Sequence, residues 1–276
     1  MKNLLVHIPS ELPVRPAVDA AISLAVAHTA HLDAVSVGYE VANVSLAVDG
    51  GAAAASVLDI ERERALERAN AALAVLETEA RNAGLACGLQ ALTGLPYEAA
   101  GKVTASARLY DLTIVPQPDS DHDTFDNVLP QEILFQSGGP VLFVPHIHKG
   151  PFEPRRIGIA WDGSRLAARA VRDAAPFLAR AQAITIISIN ETPEPANASA
   201  AALAEHLARR GLIAQIERMH VHRAETQPAL LSIAADAGLG LMVMGGYGHS
   251  RLQERILGGV TRGMLQSMTL PTLMSH

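Results

Sequence analysis

The chain holds 276 residues, close to two units of about 138, and since domains usually hold about 100–150 residues, length favours two of them. Hydrophobic residues make up 49% and charged residues 18%, which excludes disorder and low-complexity stalks, while Cys87 as the single cysteine excludes a disulfide scaffold and points to the cytoplasm. The net charge of −6, carried without any basic stripe, excludes a general nucleic-acid footprint, no run of about 18 apolar residues suits a membrane span, and the run from Asn3 to Pro9 is too short for a signal peptide.

In chain order, the pattern is one of short apolar strands alternating with helix-period segments. A strand at Asn3–Pro9 is followed by a helix over about Val14–Ala30, a strand at Leu32–Gly38, an amphipathic helix at about Val57–Ala83 and a strand at Ala86–Thr93. A helix over Pro96–Ala107, a strand at Asp111–Pro116, a further helix and a short strand at Pro140–Val144 complete a first copy. The same order then repeats. Strand Arg156–Asp162, helix Ser164–Ala181 with Ser164 as its N-cap, strand Ala183–Asn190 and helix Ala196–Gly211 come first. Strand Ile213–His220, helix Thr226–Ala237, strand Gly240–Met244, a last helix and strand Pro271–Met274 follow. Continuous apolar strands between helices indicate parallel sheets covered on both faces. The expected fold is therefore α/β, two tandem doubly wound domains with five-stranded parallel sheets, at 1–150 and 151–276, joined near His148-Lys149-Gly150-Pro151. Aligning the copies makes the first about 22 residues longer, and Val41–Ser56, with its Gly-Gly-Ala-Ala-Ala-Ala run, is the expected insertion.

One constellation carries chemistry. After the fourth strand of the second copy comes Met244-Gly245-Gly246-Tyr247-Gly248-His249, and Gly258-Gly259-Val260-Thr261 follows with nine residues between Gly248 and Gly258. In an open α/β sheet a ligand binds beyond the carboxyl ends of the strands, where this loop must lie. Glycines let backbone N–H groups approach an anion, and the following helix N-terminus adds about half a positive charge. Phosphate suits such a loop. Neither a P-loop nor a Gly-x-Gly-x-x-Gly fingerprint at a first strand is present, so the spacing Gly245-x2-Gly248-x9-Gly258 stands by itself, with Asp162 at the end of the copy's first strand.

This spacing, with Asp162 and the order of elements, resembles the universal stress protein family in its tandem-domain form, whose fold is Rossmann-like and akin to the adenine nucleotide alpha hydrolases. The resemblance covers both copies in strand order, but the glycine motif only the second. It implies an adenine nucleotide, ATP with or without Mg2+, bound with Asp162 near the ribose, the backbone of Ile189 near the adenine, and Gly245, Gly248, Gly258 and Val260 around the phosphates. It departs at Gly259, where the family's nucleotide binders carry Ser or Thr. The lost hydroxyl is worth on the order of 1 kcal/mol; Thr261 is a substitute donor, Gly259 keeps its N–H, and His249 either meets phosphate or caps the loop. The resemblance also implies that Val141–Val144 and Thr272–Met274 pair antiparallel within one chain, a pseudo-dimer of the two domains that leaves a homodimer of chains open.

In the first copy Pro9 stands where Asp162 stands, and Gln117-Pro118-Asp119-Ser120-Asp121-His122-Asp123-Thr124-Phe125-Asp126 replaces the glycine loop. Its four Asp residues are expected to repel a polyphosphate, so residues 1–150 are expected to bind no nucleotide in this way. The His pairs 146/148 and 220/222, and His122 between two Asp residues, read as surface loops, since no zinc-type spacing accompanies them. Arg251, Arg255 and Arg262 are solvated helix residues or offsets to phosphate charge, and Cys87 reads as a small buried hydrophobe. With no triad and no nucleophile elbow, the expected function is a stress-response sensor that binds nucleotide in its second domain and at most hydrolyses it slowly. The alternative is a nucleotide-independent tandem scaffold. An ATP-consuming transferase lacks the loop and acid/base pair it needs. No catalytic residue and no metal ligand is expected, and the partners exclude nucleic acid and membrane.

Overall fold

A computed structural model describes residues 1–40, 52–191, 198–246 and 259–276. Packing divides it into two compact units, one of Met1–Ser137 with Lys149–Pro151 and one of Gly138–His148 with Phe152–His276.

The first unit contains β1 (Asn3–His7), α1 (Arg15–His28), β2 (His31–Tyr39), α2 (Ala52–Asn82), β3 (Cys87–Gly94), α3 (Pro96–Ala107), β4 (Leu112–Pro116), a 3-10 turn at Phe125–Asn127 and α4 (Leu129–Gln136). Its strands are parallel in the order β3-β2-β1-β4. β1 and β4 are buried along nearly their whole length, which is why they read as unbroken apolar runs. α3 starts where the sequence expects it because Pro96 sits in its first turn, with φ preset and no N–H to lose. α2 begins at Ala52 and not near Val57, since an alanine run has the highest helix propensity. Its inward stripe is Ala65, Ala69, Ala72, Leu73, Leu76 and Ala80. Small residues there bring the helix axis close to β2, and Gly38 lies under Ala65.

The second unit contains β5 (Val141–Val144), β6 (Arg156–Ala160), α5 (Arg165–Asp173), α6 (Ala175–Leu178), β7 (Ala183–Ile189), α7 (Ala200–Ala208), β8 (Ala214–Met219), a 3-10 turn at Arg223–Glu225, α8 (Thr226–Asp236), β9 (Leu241–Gly245), α9 (Val260–Ser267) and β10 (Thr272–Ser275). The order is β5-β10-β9-β6-β7-β8, parallel except where β5 meets β10 antiparallel, with Phe143 opposite Thr272 and Val141 opposite Met274. Because β5 pairs there, residues 138–148 cluster with the second unit, whereas the sequence divides the chain at residue 150 and counts this strand with the first copy. The single helix expected over Ser164–Ala181 is two helices meeting at Ala174. Pro176 cannot donate to the carbonyl four residues back, so the first helix ends before it. Ser164 caps α5 as expected, its hydroxyl accepting the Ala167 N–H at 3.1 Å. α7 is capped by Ser199, whose hydroxyl accepts the Ala202 N–H at 3.2 Å; the expected start at Ala196 lies outside the described residues.

Candidate functional site

The register places the carboxyl ends of β9, β6 and β7 side by side, since β6 pairs with β9 on one flank and β7 on the other. Asp162, Ile189 and Gly245 therefore come from three neighbouring strands at one edge of the sheet, where open α/β sheets hold their ligands.

Asp162 follows β6 and is exposed, its Oδ1 accepting the Ser164 N–H at 2.9 Å. The turn that presents it is built by two neighbours. Gly163 has φ +75°, a left-handed value that disfavours other residues, and a Cβ there would lie 3.0 Å from the Ala198 carbonyl. Trp161 donates its indole N–H to that carbonyl at 2.7 Å and its backbone N–H to Ile187 at 2.8 Å. Trp161, the single tryptophan of the chain, thus clamps the turn next to Asp162, a role that only its contact with the remote Ala198 reveals. Ile189 ends β7 opposite Met219. Asn190 then turns the chain at φ +55° and accepts the Val221 N–H at 3.0 Å. Beyond it, Glu191 is held below the usual carboxylate range, first by the Ala200 N–H and then by Arg218.

The glycine loop is described at its two ends only. Gly248, His249 and Gly258 lie outside the described residues, as do Arg251 and Arg255. At the near end, the Gly246 N–H donates to Ser275 at 2.9 Å and the Gly246 carbonyl meets His276 Nδ1 at 3.0 Å. Arg169 donates to the His276 carbonyl at 2.8 Å, and Ser275 donates to Asp173 at 2.7 Å. This anchor was invisible in the sequence apart from the helical spacing of Arg169 and Asp173. Gly245 has a packing reason to be glycine: a Cβ there would sit 2.7 Å from the Ala167 nitrogen and 2.8 Å from the Leu166 carbonyl carbon. At the far end Gly259 is the N-cap of α9, extended at φ −63° and ψ 149°, and as a glycine it brings no side chain to cap the helix. A helix N-terminus leaves several N–H groups without intrahelical partners. Val260 is half-buried, and Thr261, expected as a substitute hydroxyl, is buried at 4% exposure.

The equivalent edge of the first unit is filled by its own side chains. The acidic loop folds on itself, with Asn127 accepting the Asp119 N–H at 2.6 Å and donating to the carbonyls of Asp119 and His122. His122 pairs with Asp119 at 2.8 Å. Asp126 turns inward and is 1% exposed, its Oδ2 accepting the Glu11 N–H at 2.8 Å, while Phe125 packs on Tyr39. The expectation of four repelling surface carboxylates is thus corrected for Asp126, because burial pushes its carboxyl up to about 7.

A cavity of about 250 Å³ lies nearer the amino ends of β2 and β3, lined by Asp33, Gln90, Ser106 and Tyr110 with apolar neighbours. Its carboxylate is already engaged, by the Tyr110 hydroxyl at 2.7 Å and by His31 at 3.0 Å. Burial and Asp33 push the Tyr110 phenol up to about 12. Cys87, expected to be buried, is half-exposed. Among the described residues no group of His, Cys, Asp and Glu could hold a metal ion, and no helix is long and apolar enough to cross a membrane.

Residues 153–276 match the family model described as the universal stress protein family. This half of the chain belongs to that family. The universal stress protein domain so defined coincides closely with the second copy of the repeat and contains every residue of the glycine motif. In three dimensions the full chain is similar to a universal stress protein from Archaeoglobus fulgidus DSM 4304, at a TM-score of 0.72 and 14% identity over 98% of this chain and 97% of that one. A functionally unknown protein from Pseudomonas aeruginosa PAO1 is similar at a TM-score of 0.62 and 17% identity, over 99% of this chain and 92% of that one. At such identities the likeness is one of fold, and it extends over both units. No curated protein matches the chain.

Proposed function

We propose that the universal stress protein domain, residues 151–276, binds an adenine nucleotide, ATP with or without Mg2+, as a cytoplasmic stress-response sensor rather than a turnover enzyme. The observation that carries this reading is that α9 starts on a glycine N-cap, Gly259, which brings no side chain of its own to the helix's first N–H groups, downstream of the strand edge that gathers Asp162, Ile189 and Gly245. Phosphate satisfies such N–H groups and is favoured by the helix dipole. In this reading Gly248, Gly258, Gly259, Val260 and Thr261 surround the phosphates with backbone N–H groups, His249 adds a donor, Asp162 takes the ribose hydroxyls and the Ile189 backbone takes the adenine edge. Residues 1–150 are then the degenerate partner, its strand edge filled by Asp126 and Phe125. The antiparallel closure of β5 on β10 supports a chain that acts as its own pseudo-dimer, since it covers two strand edges at once.

Protein purified without added nucleotide, then denatured and analysed by mass spectrometry, is expected to release adenine nucleotide, or else to rise in melting temperature with millimolar Mg-ATP, because a ligand held only by the folded state stabilises it. Absence of both results would sink the proposal. A nucleotide-independent scaffold is the second reading, favoured by the packing reason for Gly245. Gly259→Ser separates the two. A restored hydroxyl at the helix cap, worth about 1 kcal/mol to a charged acceptor, is expected to tighten ATP about fivefold by calorimetry. A scaffold would gain helix stability from the cap but no affinity.

A further inference from the structure

The cavity in the first unit follows from the strand register. Leu5, Asp33 and Gly88 stand side by side on β1, β2 and β3, and two residues further along Val35 stands beside Gln90. Alternation puts all five on one face of the sheet. Gly88 brings no side chain to that face, and a Cβ there would stand 2.0 Å from Asp33 Oδ1. The gap at residue 88 is therefore the place of a carboxylate. α3 comes over the same face with Val103 and Ser106, Tyr110 follows it, and the space left among these groups is about 250 Å³. That is just below the roughly 300–1,000 Å³ of sites that hold drug-sized ligands, so it suits a smaller molecule.

Hydrogen-bond polarity sets what that space can take. Asp33 is held on both oxygens, Oδ2 by the Tyr110 hydroxyl at 2.7 Å and Oδ1 by His31 Nε2 at 3.0 Å, while 28% of its side chain stays exposed. Each carboxylate oxygen accepts two bonds, so one position on each is left for a ligand. The Tyr110 proton is committed to Asp33, and the Ser106 hydroxyl donates to the Lys102 carbonyl at 3.2 Å. Both hydroxyl oxygens then have only lone pairs left to offer. Among the described residues, Gln90 is the only lining side chain with a donor to spare, and no lysine or arginine lines the cavity. Lys2 and Arg108 are directed at the Thr29 and Gln136 carbonyls instead. The other walls are apolar, from Leu5, Val35, Leu89 and Val103. An anion would meet a fixed negative charge among acceptors; a cation with N–H donors meets its complement. We propose that this cavity binds a small organic cation, an ammonium head on a short apolar body, with the head on Asp33 and the body along Val35, Leu89 and Val103.

The test is an NMR titration of the full chain, its Leu and Val methyl groups labelled, at neutral pH with benzylamine, benzyl alcohol and benzoate, probes of nearly one shape and different charge. Benzylamine is expected to move the methyl signals of Val35, Leu89 and Val103 to saturation. Benzyl alcohol is expected to bind about tenfold more weakly, for want of a charge-assisted bond to Asp33, and benzoate to leave these signals in place. Asp33→Asn keeps the shape of the side chain and an oxygen for the Tyr110 hydroxyl. It is expected to weaken benzylamine about tenfold or more while the methyl signals of the second unit stay where they were. No saturable shift with benzylamine up to about 20 mM, where even a weak site of millimolar affinity would fill, overturns the proposal. So does comparable binding of the alcohol or of benzoate at the same methyl groups, or benzylamine binding that Asp33→Asn leaves unchanged. Should Asp33→Asn fail to fold, the unsubstituted protein decides: preference for the cation over both other probes supports the site, and lack of preference refutes it.

Discussion

Gly38→Ala is expected to destabilise the first unit by about 3 kcal/mol, seen as an earlier urea transition of the full chain. A Cβ at residue 38 would stand 1.9 Å from the Ala65 carbonyl oxygen and 3.0 Å from its Cα. These are backbone atoms, so no rotamer change can make room. α2 would have to move by more than an ångström, and its buried stripe at Ala69, Leu73 and Leu76 would lift from β2 with it. Interiors are too densely packed to absorb such a shift without losing contacts elsewhere. Gly101→Ala provides the opposite case in the same unit. Gly101 lies in α3, and its Cβ would meet open space, so the substitution is expected to stabilise by about 0.5–1 kcal/mol through helix propensity. An unchanged midpoint for Gly38→Ala would mean that α2 does not bear on β2 as closely as the structure places it.

What the sequence made legible is what depends on local pattern. Strands such as β1 and β6 are built around short apolar runs, Leu4–Val6 and Ile157–Ala160, so their existence follows from composition within a short window. α3 was placed to the residue because Pro96 carries its own backbone preference. The gathering of Asp162, Ile189 and Gly245 at one strand edge was legible too, since element order in a parallel sheet fixes which ends coincide. Features that depend on distance between remote residues were not. Asp126 belongs to a run rich in acids, and nothing local distinguishes it from Asp121 or Asp123; only the burial of His7 beneath it reveals that it turns inward. Pro176 lies within an otherwise helical stretch, and whether it kinks or ends the helix depends on the packing of Phe177 and Leu178 beyond it. The grouping of β5 with the second unit follows from a partner strand about 130 residues later, a pairing that the family resemblance implies and that no local pattern in the chain reveals.

Gly245→Ala is the second large effect, and it bears on what the glycine motif means. The new methyl would press on the Ala167 nitrogen at 2.7 Å, the Leu166 carbonyl carbon at 2.8 Å and Leu166 Cβ at 2.9 Å. All three belong to the first turn of α5, which Ser164 caps and which packs against β9 with Leu166 and Ala167 buried. The expected loss is about 2 kcal/mol of stability in the second unit, present without nucleotide and unchanged in its presence. A pure phosphate cradle predicts the reverse: a stable variant whose ATP affinity alone declines. Denaturant unfolding with and without saturating Mg-ATP distinguishes the two, because a residue that acts through packing shifts both curves equally, while one that acts through the ligand shifts only the difference between them. The first glycine of the motif is thereby explained by the approach of a helix to a strand. The proposed anion contact then rests on the start of α9, where the N-cap Gly259 has no side chain, and there the added hydroxyl of a serine, and not an added methyl, is the change that affinity should register.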